Sequence, residues 1–471
     1  MKIIFIFFLF FYSFTYSQLN DSILIRGIGK YYKGYPIELL SIQDYISNKE
    51  IPLGKTVVDS NGIFEFVIPN IPTQKLVIRS KKNWAYIYVQ PSSEYYVSFP
   101  SINKNEVPNL YGNDIELVFY KLDSSDINYK ILGFQNGLDQ MLSDFFYIKN
   151  VNYNEFESRF NNLLDTVNSI YKSDTNIYFR YFIKYSLSEL QVLQNVYFPI
   201  ENYNNHFHEK PIFYDNDAYM KYFNVFYNHL RFQLRNDLQV EVGFAIKKSS
   251  PSLIMNLLSR HSTLKSEKIR ELAMIKMLGQ EYNSKDFSRN NIIKILDSIS
   301  RFSINQENRL ISKNLIENLM VLKSGEKAPD LNFKTKNGDS VSWKTFKNKF
   351  VYLHFFNPED KNSLIEMEPL ISLHKEYGSI IQFVTIFPRT PSQENIRKLS
   401  VFKDINWPII DLDLSHEIWS LYNIKAFPMY YLVNPNSYLI QAPALSPVPN
   451  GDYESIHMIF KDIQKYLKNK R

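Results

Sequence analysis

Lys349-Phe350-Val351-Tyr352-Leu353-His354-Phe355-Phe356 is the stretch that decides the fold. From Phe350 to Phe356 only His354 interrupts the apolar run, and there is no polar alternation. A strand with no wet face is covered on both sides, as in a sheet flanked by helices. The residues around it repeat the signal. Ser363–Tyr377 reads as a helix, Ile380–Phe387 as a second buried strand and Gln393–Phe402 as a helix. Met429–Val433 reads as a strand, which turns through Asn434-Pro435-Asn436-Ser437 into Tyr438–Ala442, and Tyr453–Leu467 closes as a helix. Just upstream, Phe333–Thr335 and Asp339–Val341 flank Lys336-Asn337-Gly338, whose Asn-Gly pair suits a tight hairpin. Buried strands alternating with helices predict an α/β domain.

Further out the pattern changes twice. Ser324-Gly325-Glu326-Lys327-Ala328-Pro329-Asp330 breaks the preceding helix with Gly and then Pro. Before it, residues 112–322 carry helical periodicity. In Tyr153–Tyr171 the residues Phe156, Phe160, Leu163, Leu164, Val167, Ile170 and Tyr171 form one stripe. The many aromatics of this region read as core, since each can bury about 150–250 Å². Residues 22–100 read as β: seven short runs, from Ile23–Ile28 to Glu94–Phe99, are separated by turn signals such as Asp59-Ser60-Asn61-Gly62. That spacing predicts an antiparallel β-sandwich. Met1–Ser17 has Lys2 and then an apolar run too short to span a bilayer, which predicts a cleaved secretory signal. The expected organisation is multidomain: signal 1–17, β-sandwich 18–110, helical domain 111–322 and α/β domain 323–471.

Composition narrows the chemistry. The chain has 471 residues, 74 of them aromatic (36 Phe, 34 Tyr, 4 Trp), and only 14 Gly, which argues against a Gly-rich phosphate-binding fold. A net charge of +6 over this length makes no basic patch, so nucleic acid is not expected as a partner. No nucleotide-binding, G-x-S-x-G or H-E-x-x-H motif is present. His206-Phe207-His208-Glu209 lacks an identifiable third ligand, so neither metal nor cofactor is expected. The count of 0 Cys excludes disulfides, a thiolate nucleophile and an acylated N-terminal cysteine.

Residues 325–467 resemble the thioredoxin-fold thiol-disulfide oxidoreductases of the TlpA/ResA type found in Bacteroidetes-type envelopes. Gly325-Glu326-Lys327-Ala328-Pro329-Asp330 looks like that family's opening segment. Lys349–Phe356 looks like the strand leading to its active site. Lys425-Ala426-Phe427-Pro428-Met429-Tyr430-Tyr431-Leu432-Val433 looks like the segment carrying its cis-proline. The resemblance implies a C-terminal thioredoxin-like fold, a periplasmic or outer-envelope location and a W-C-x-x-C site. The two cysteine positions fall on Asp360 and Ser363, and the family's following acid is retained as Glu366.

Without thiols the family chemistry cannot run. A helix N-terminus lowers a thiol's pKa, and the thiolate attacks; a serine hydroxyl without a base is no substitute. Ser363-Leu364-Ile365-Glu366 reads instead as a capping box, with Asp360 a favourable charge or N-cap beside it. No catalytic residue is assigned. The resemblance further implies a cis Phe427–Pro428 bond and a groove formed with Phe356, where an extended chain could dock. The leading expectation is an exported, non-redox binding or assembly module, not a lipoprotein, with an envelope protein or peptide as partner. The alternatives are an enzyme of non-thiol chemistry, or an oxidoreductase in family name only.

Overall fold

The computed structural model describes residues 22–81, 83–100, 113–195 except 144–152, 197–282, 284, 286–322, 324–334, 340–389, 405–414, 416–424, 426–448 and 456–469. The expected leader, the turn at 336–338 and the helix expected over 393–402 lie outside the described residues. The chain is multidomain. One compact unit runs to Ile316 except for 107–111 and 283–288, and the second contains Glu317–Arg471.

The described residues of the larger unit begin with nine strands. They are β1 (Ser22–Ile28), β2 (Pro36–Asp44), β3 (Lys49–Val57), β4 (Ile63–Pro69), β5 (Gln74–Ser80), β6 (Asn83–Val89), β7 (Glu94–Ser98), β8 (Asn113–Asp114) and β9 (Val118–Phe119). They form two sheets, ordered β4-β1-β7-β9 and β3-β2-β5-β6-β8. Alternation sets their inner faces: Ile23, Ile25, Phe64 and Phe66 share one core with Ile37, Leu39, Leu76 and Ile78. The purely antiparallel pattern expected from sequence is not kept, because β1 runs parallel to β7, and β6 to β8. Period-2 alternation fixes which face is buried and is silent on the direction of the neighbouring strand.

Helices follow from Ile127 to Leu319. Tyr153–Tyr171 is a helix whose residues Phe156, Phe160, Leu163, Leu164 and Val167 are buried. Ile170, expected in the same stripe, is 54% exposed. The helices are joined to the sheets by polar contacts inside this unit. Tyr88 Oη donates to Asp217 Oδ2 at 2.7 Å, and Asn314 Nδ2 donates to Asp44 Oδ2 at 2.9 Å.

The smaller unit is built on a five-stranded sheet. A hairpin of β10 (Asn332–Lys334) and β11 (Ser340–Ser342) precedes it. Then come β12 (Phe350–Phe355), β13 (Ile381–Pro388), β14 (Ile409–Leu412), β15 (Met429–Val433) and β16 (Leu439–Gln441). Their order is β14-β13-β12-β15-β16, with β12 in the centre. β12 is parallel to β13 and antiparallel to β15. All six residues of β12 are buried, as its unbroken apolar run requires. Val351, Leu353 and Phe355 enter a core on one face. Tyr352 and Phe356 enter the other, against Met367 and Leu370 and against Phe460 of the last helix, Ile456–Asn469.

Candidate functional site

The site lies where β12 ends and the next helix begins. Phe356 and Pro358 are buried, and the chain turns at Asn357, whose Oδ1 accepts from the Glu359 amide at 3.0 Å. The helix Lys361–Ile365 then starts on Asp360, which is its N-cap: Oδ1 accepts from the Ser363 amide at 2.7 Å. This satisfies an orphan N–H and places a carboxylate at the positive end of the helix. The capping box expected at Ser363 does not form. Ser363 sits inside the first turn, fully buried, and its Oγ accepts from the Asn357 amide at 3.3 Å. A side chain already within the helix cannot cap the start of that helix.

Glu366 also differs from its expected part in the capping box. It closes the first helix and precedes a second, Met367–Tyr377, without a side-chain capping bond. The single helix expected over Ser363–Tyr377 is therefore split. Pro369 has no N–H to give Ile365, so one continuous hydrogen-bond ladder is not available there. The Glu366 carboxylate turns to the sheet, where Oε2 accepts from Tyr430 Oη at 2.9 Å and from Ser446 Oγ at 2.7 Å.

Tyr430 is the middle ring of a stack. Its ring is 5.2 Å from Tyr352 at 9° and 4.9 Å from His354 at 7°. Burial pushes the Tyr352 and Tyr430 phenols well above their ordinary range, and the Glu366 carboxylate pushes in the same direction. Burial alone pushes His354 down to about 3, so the imidazole is neutral. Its Nδ1 lies 3.2 Å from Thr385 Oγ1, which also accepts from Trp407 Nε1 at 2.9 Å. His354 Nε2 is buried without a hydrogen-bond partner.

On the opposite side of the strand end, the Phe427–Pro428 bond is cis. Phe427 is half-buried and packs edge-on to Trp419 at 6.3 Å, while Ala426 is exposed. Phe356 was expected to line a groove with Phe427. It is 0% exposed and belongs to the core on the helix face of the sheet, whereas Phe427 packs against the core on the other. The two rings do not share a surface, so what remains open is the strand end at Ala426 and the outer side of Phe427.

No family model matches the chain. A curated relative, the thioredoxin-like protein YneN of Bacillus subtilis, is 28% identical over 115 residues. Over that stretch the chain is similar to a thioredoxin-like protein, and it contains no cysteine. The match takes in 24% of the chain and 66% of the relative, just under two thirds of its length. Among solved structures, a thioredoxin-like protein from Bacteroides caccae is 15% identical, with 59% of this chain and 93% of that one covered and a TM-score of 0.33. A thiol:disulfide interchange protein from a Bacteroides species is 19% identical, covering 32% of this chain and 93% of its own, with a TM-score of 0.26.

The site is an aromatic and carboxylate cluster. Tyr430 and Ser446 went unnoticed in the sequence because each acts through a contact with distant Glu366. Elsewhere, His206 and His208 make separate contacts. His206 Nε2 lies 3.3 Å from Ser188 Oγ, and His208 Nδ1 lies 3.4 Å from Tyr203 Oη. No group of three metal-ligating side chains occurs among the described residues.

Proposed function

We propose that this thioredoxin-like protein is exported and non-redox, and that it binds an extended segment of a partner protein in the cell envelope. One observation carries the reading: both positions of the redox motif are spent on building the helix start. Asp360 is the N-cap and Ser363 is buried against the Asn357 amide. The Ser363 hydroxyl is fully buried and so is not offered to a substrate. The strand end beside Pro428 keeps an exposed residue, Ala426, next to the half-buried ring of Phe427. Such an end suits recognition of backbone, which needs no thiol. Export rests on Lys2 and the apolar run after it, and the absence of Cys leaves no site for lipid attachment at a mature N-terminus. On this reading, residues 18–110 and 111–322 form the carrier and residues 323–471 the docking end. No helix among the described residues is long and apolar enough to cross a membrane.

The test has two arms. Purified protein with dithiothreitol should reduce insulin no faster than the reagent alone. Ala426→Arg, which adds bulk and charge at an exposed position, should abolish co-purification of the envelope partner while thermal unfolding is unchanged. Reduction above the reagent rate, or a partner retained by the variant, contradicts the reading.

A further inference from the structure

In the larger unit the helices Arg289–Phe302 and Gln306–Leu319 meet at a short turn that carries Phe302 and Ile304. These are 78% and 82% exposed, the highest values of any large apolar side chain among the described residues. Apolar side chains scattered singly over a surface need no explanation, but here the two most exposed share one turn. The turn is also fixed from beneath. Glu271 Oε2, on the helix Glu267–Glu281, accepts from Ser303 Oγ at 2.7 Å, from Asn305 Nδ2 at 3.1 Å and from Asn308 Nδ2 at 2.8 Å. Ser303 Oγ accepts in turn from the Asn305 amide at 3.0 Å. Asn308 is fully buried, and its Oδ1 accepts from Tyr214 Oη at 3.0 Å. The polar residues of the turn thus face the protein, and Phe302 and Ile304 are left outside.

We propose that this turn is a contact with a lipid surface, in which Phe302 and Ile304 enter the boundary between headgroups and acyl chains. Side chains this exposed project from the protein and do not line a groove. One Phe and one Ile offer on the order of 300 Å² of apolar area, against the roughly 1,000 Å² that a specific protein interface buries. A lipid boundary needs neither that area nor a matching shape, because each apolar group partitions by itself. The charges beside the turn are matched in pairs. Arg301 Nη2 lies 3.0 Å from Asp297 Oδ1, and Lys268 Nζ lies 3.4 Å from Glu307 Oε2. Binding is therefore carried by the apolar pair and depends little on headgroup charge. Because Glu271 fixes the turn beforehand, little conformational freedom is lost on insertion. The proposal concerns the larger unit and stands whether or not a partner docks at Ala426.

The chain contains 0 Cys, so Ile304→Cys creates a single labelling site. Full-length protein, processed as in the cell, is labelled there with an environment-sensitive dye. It is mixed with vesicles of phosphatidylethanolamine and phosphatidylcholine, with and without phosphatidylglycerol. In both mixtures the dye should shift to the blue and be quenched by brominated acyl chains. The same dye on Met458→Cys, an exposed position of the last helix, should show neither effect. Adding Phe302→Ser to the Ile304→Cys chain should weaken vesicle binding about tenfold, with thermal unfolding unchanged. No shift at 304, an equal shift at 458, or binding unaltered by Phe302→Ser would overturn the proposal. A shift that appears without vesicles as protein concentration rises would also overturn it, making the turn a contact between copies of the chain. Binding that requires phosphatidylglycerol would overturn it by assigning the contact to basic side chains.

Discussion

Asp360, where the resemblance implies a cysteine, is the cap of its helix. A cysteine at a helix start is activated by the N–H groups there; Asp360 accepts one of them. Asp360→Ala should therefore lower the stability of the smaller unit by about 0.5–2 kcal/mol, measured by denaturant unfolding. A neutral result would mean that the cap is not what fixes this helix. His354 makes a second prediction at this scale. Its folded pKa of about 3 lies below the ordinary imidazole value of about 6.5. Between those limits the unfolded chain binds the extra proton, so stability is complete above about pH 6.5 and falls as the pH drops towards 3. His354→Phe should flatten this acid limb in unfolding curves of the smaller unit. An acid limb as steep as wild type would place the cause elsewhere.

At the scale of elements, sequence patterns were legible where burial alone decides them. β12 could be read because a central strand covered on both faces admits almost only apolar side chains. Each of the seven upstream runs falls on a strand, since alternation reports a half-buried face. The helix start was misread because Asp360 and Ser363 are both N-cap residue types and Ser363 also begins an S-x-x-E pattern. Only the backbone tells which residue stands outside the helix. The turn Asp44–Ser47 was likewise invisible as a joint. Asp44 Oδ1 accepts from the Ile46 and Ser47 amides at 3.0 and 2.6 Å, while Oδ2 takes Asn314 from a helix far along the chain. Asp44→Ala strands these buried donors and should cost about 2 kcal/mol or more in the larger unit. A loss below half of that would show that water reaches the turn.

For the whole molecule, the sequence suggested that the β and helical parts are separate domains. Within the larger unit the contacts run across that division: Tyr88 donates to Asp217 at 2.7 Å, and Asn128 Nδ2 donates to Tyr88 O at 2.8 Å. Composition and periodicity change at such a division, but cohesion depends on tertiary contacts that periodicity does not encode. A fragment ending at residue 110 should therefore lack a cooperative unfolding transition, whereas a fragment extended to Ile316 should show one. A cooperative transition in the shorter fragment would restore the division.

The central claim is the proposal that this cysteine-free protein binds a partner at the strand end beside Pro428. The direct measurement is site-specific photo-crosslinking in intact envelopes, with the probe at Ala426 and, as control, at exposed Met458 on the last helix. The account predicts one discrete protein adduct from position 426, absent from position 458. No adduct at 426, or the same adducts from both positions, would contradict it.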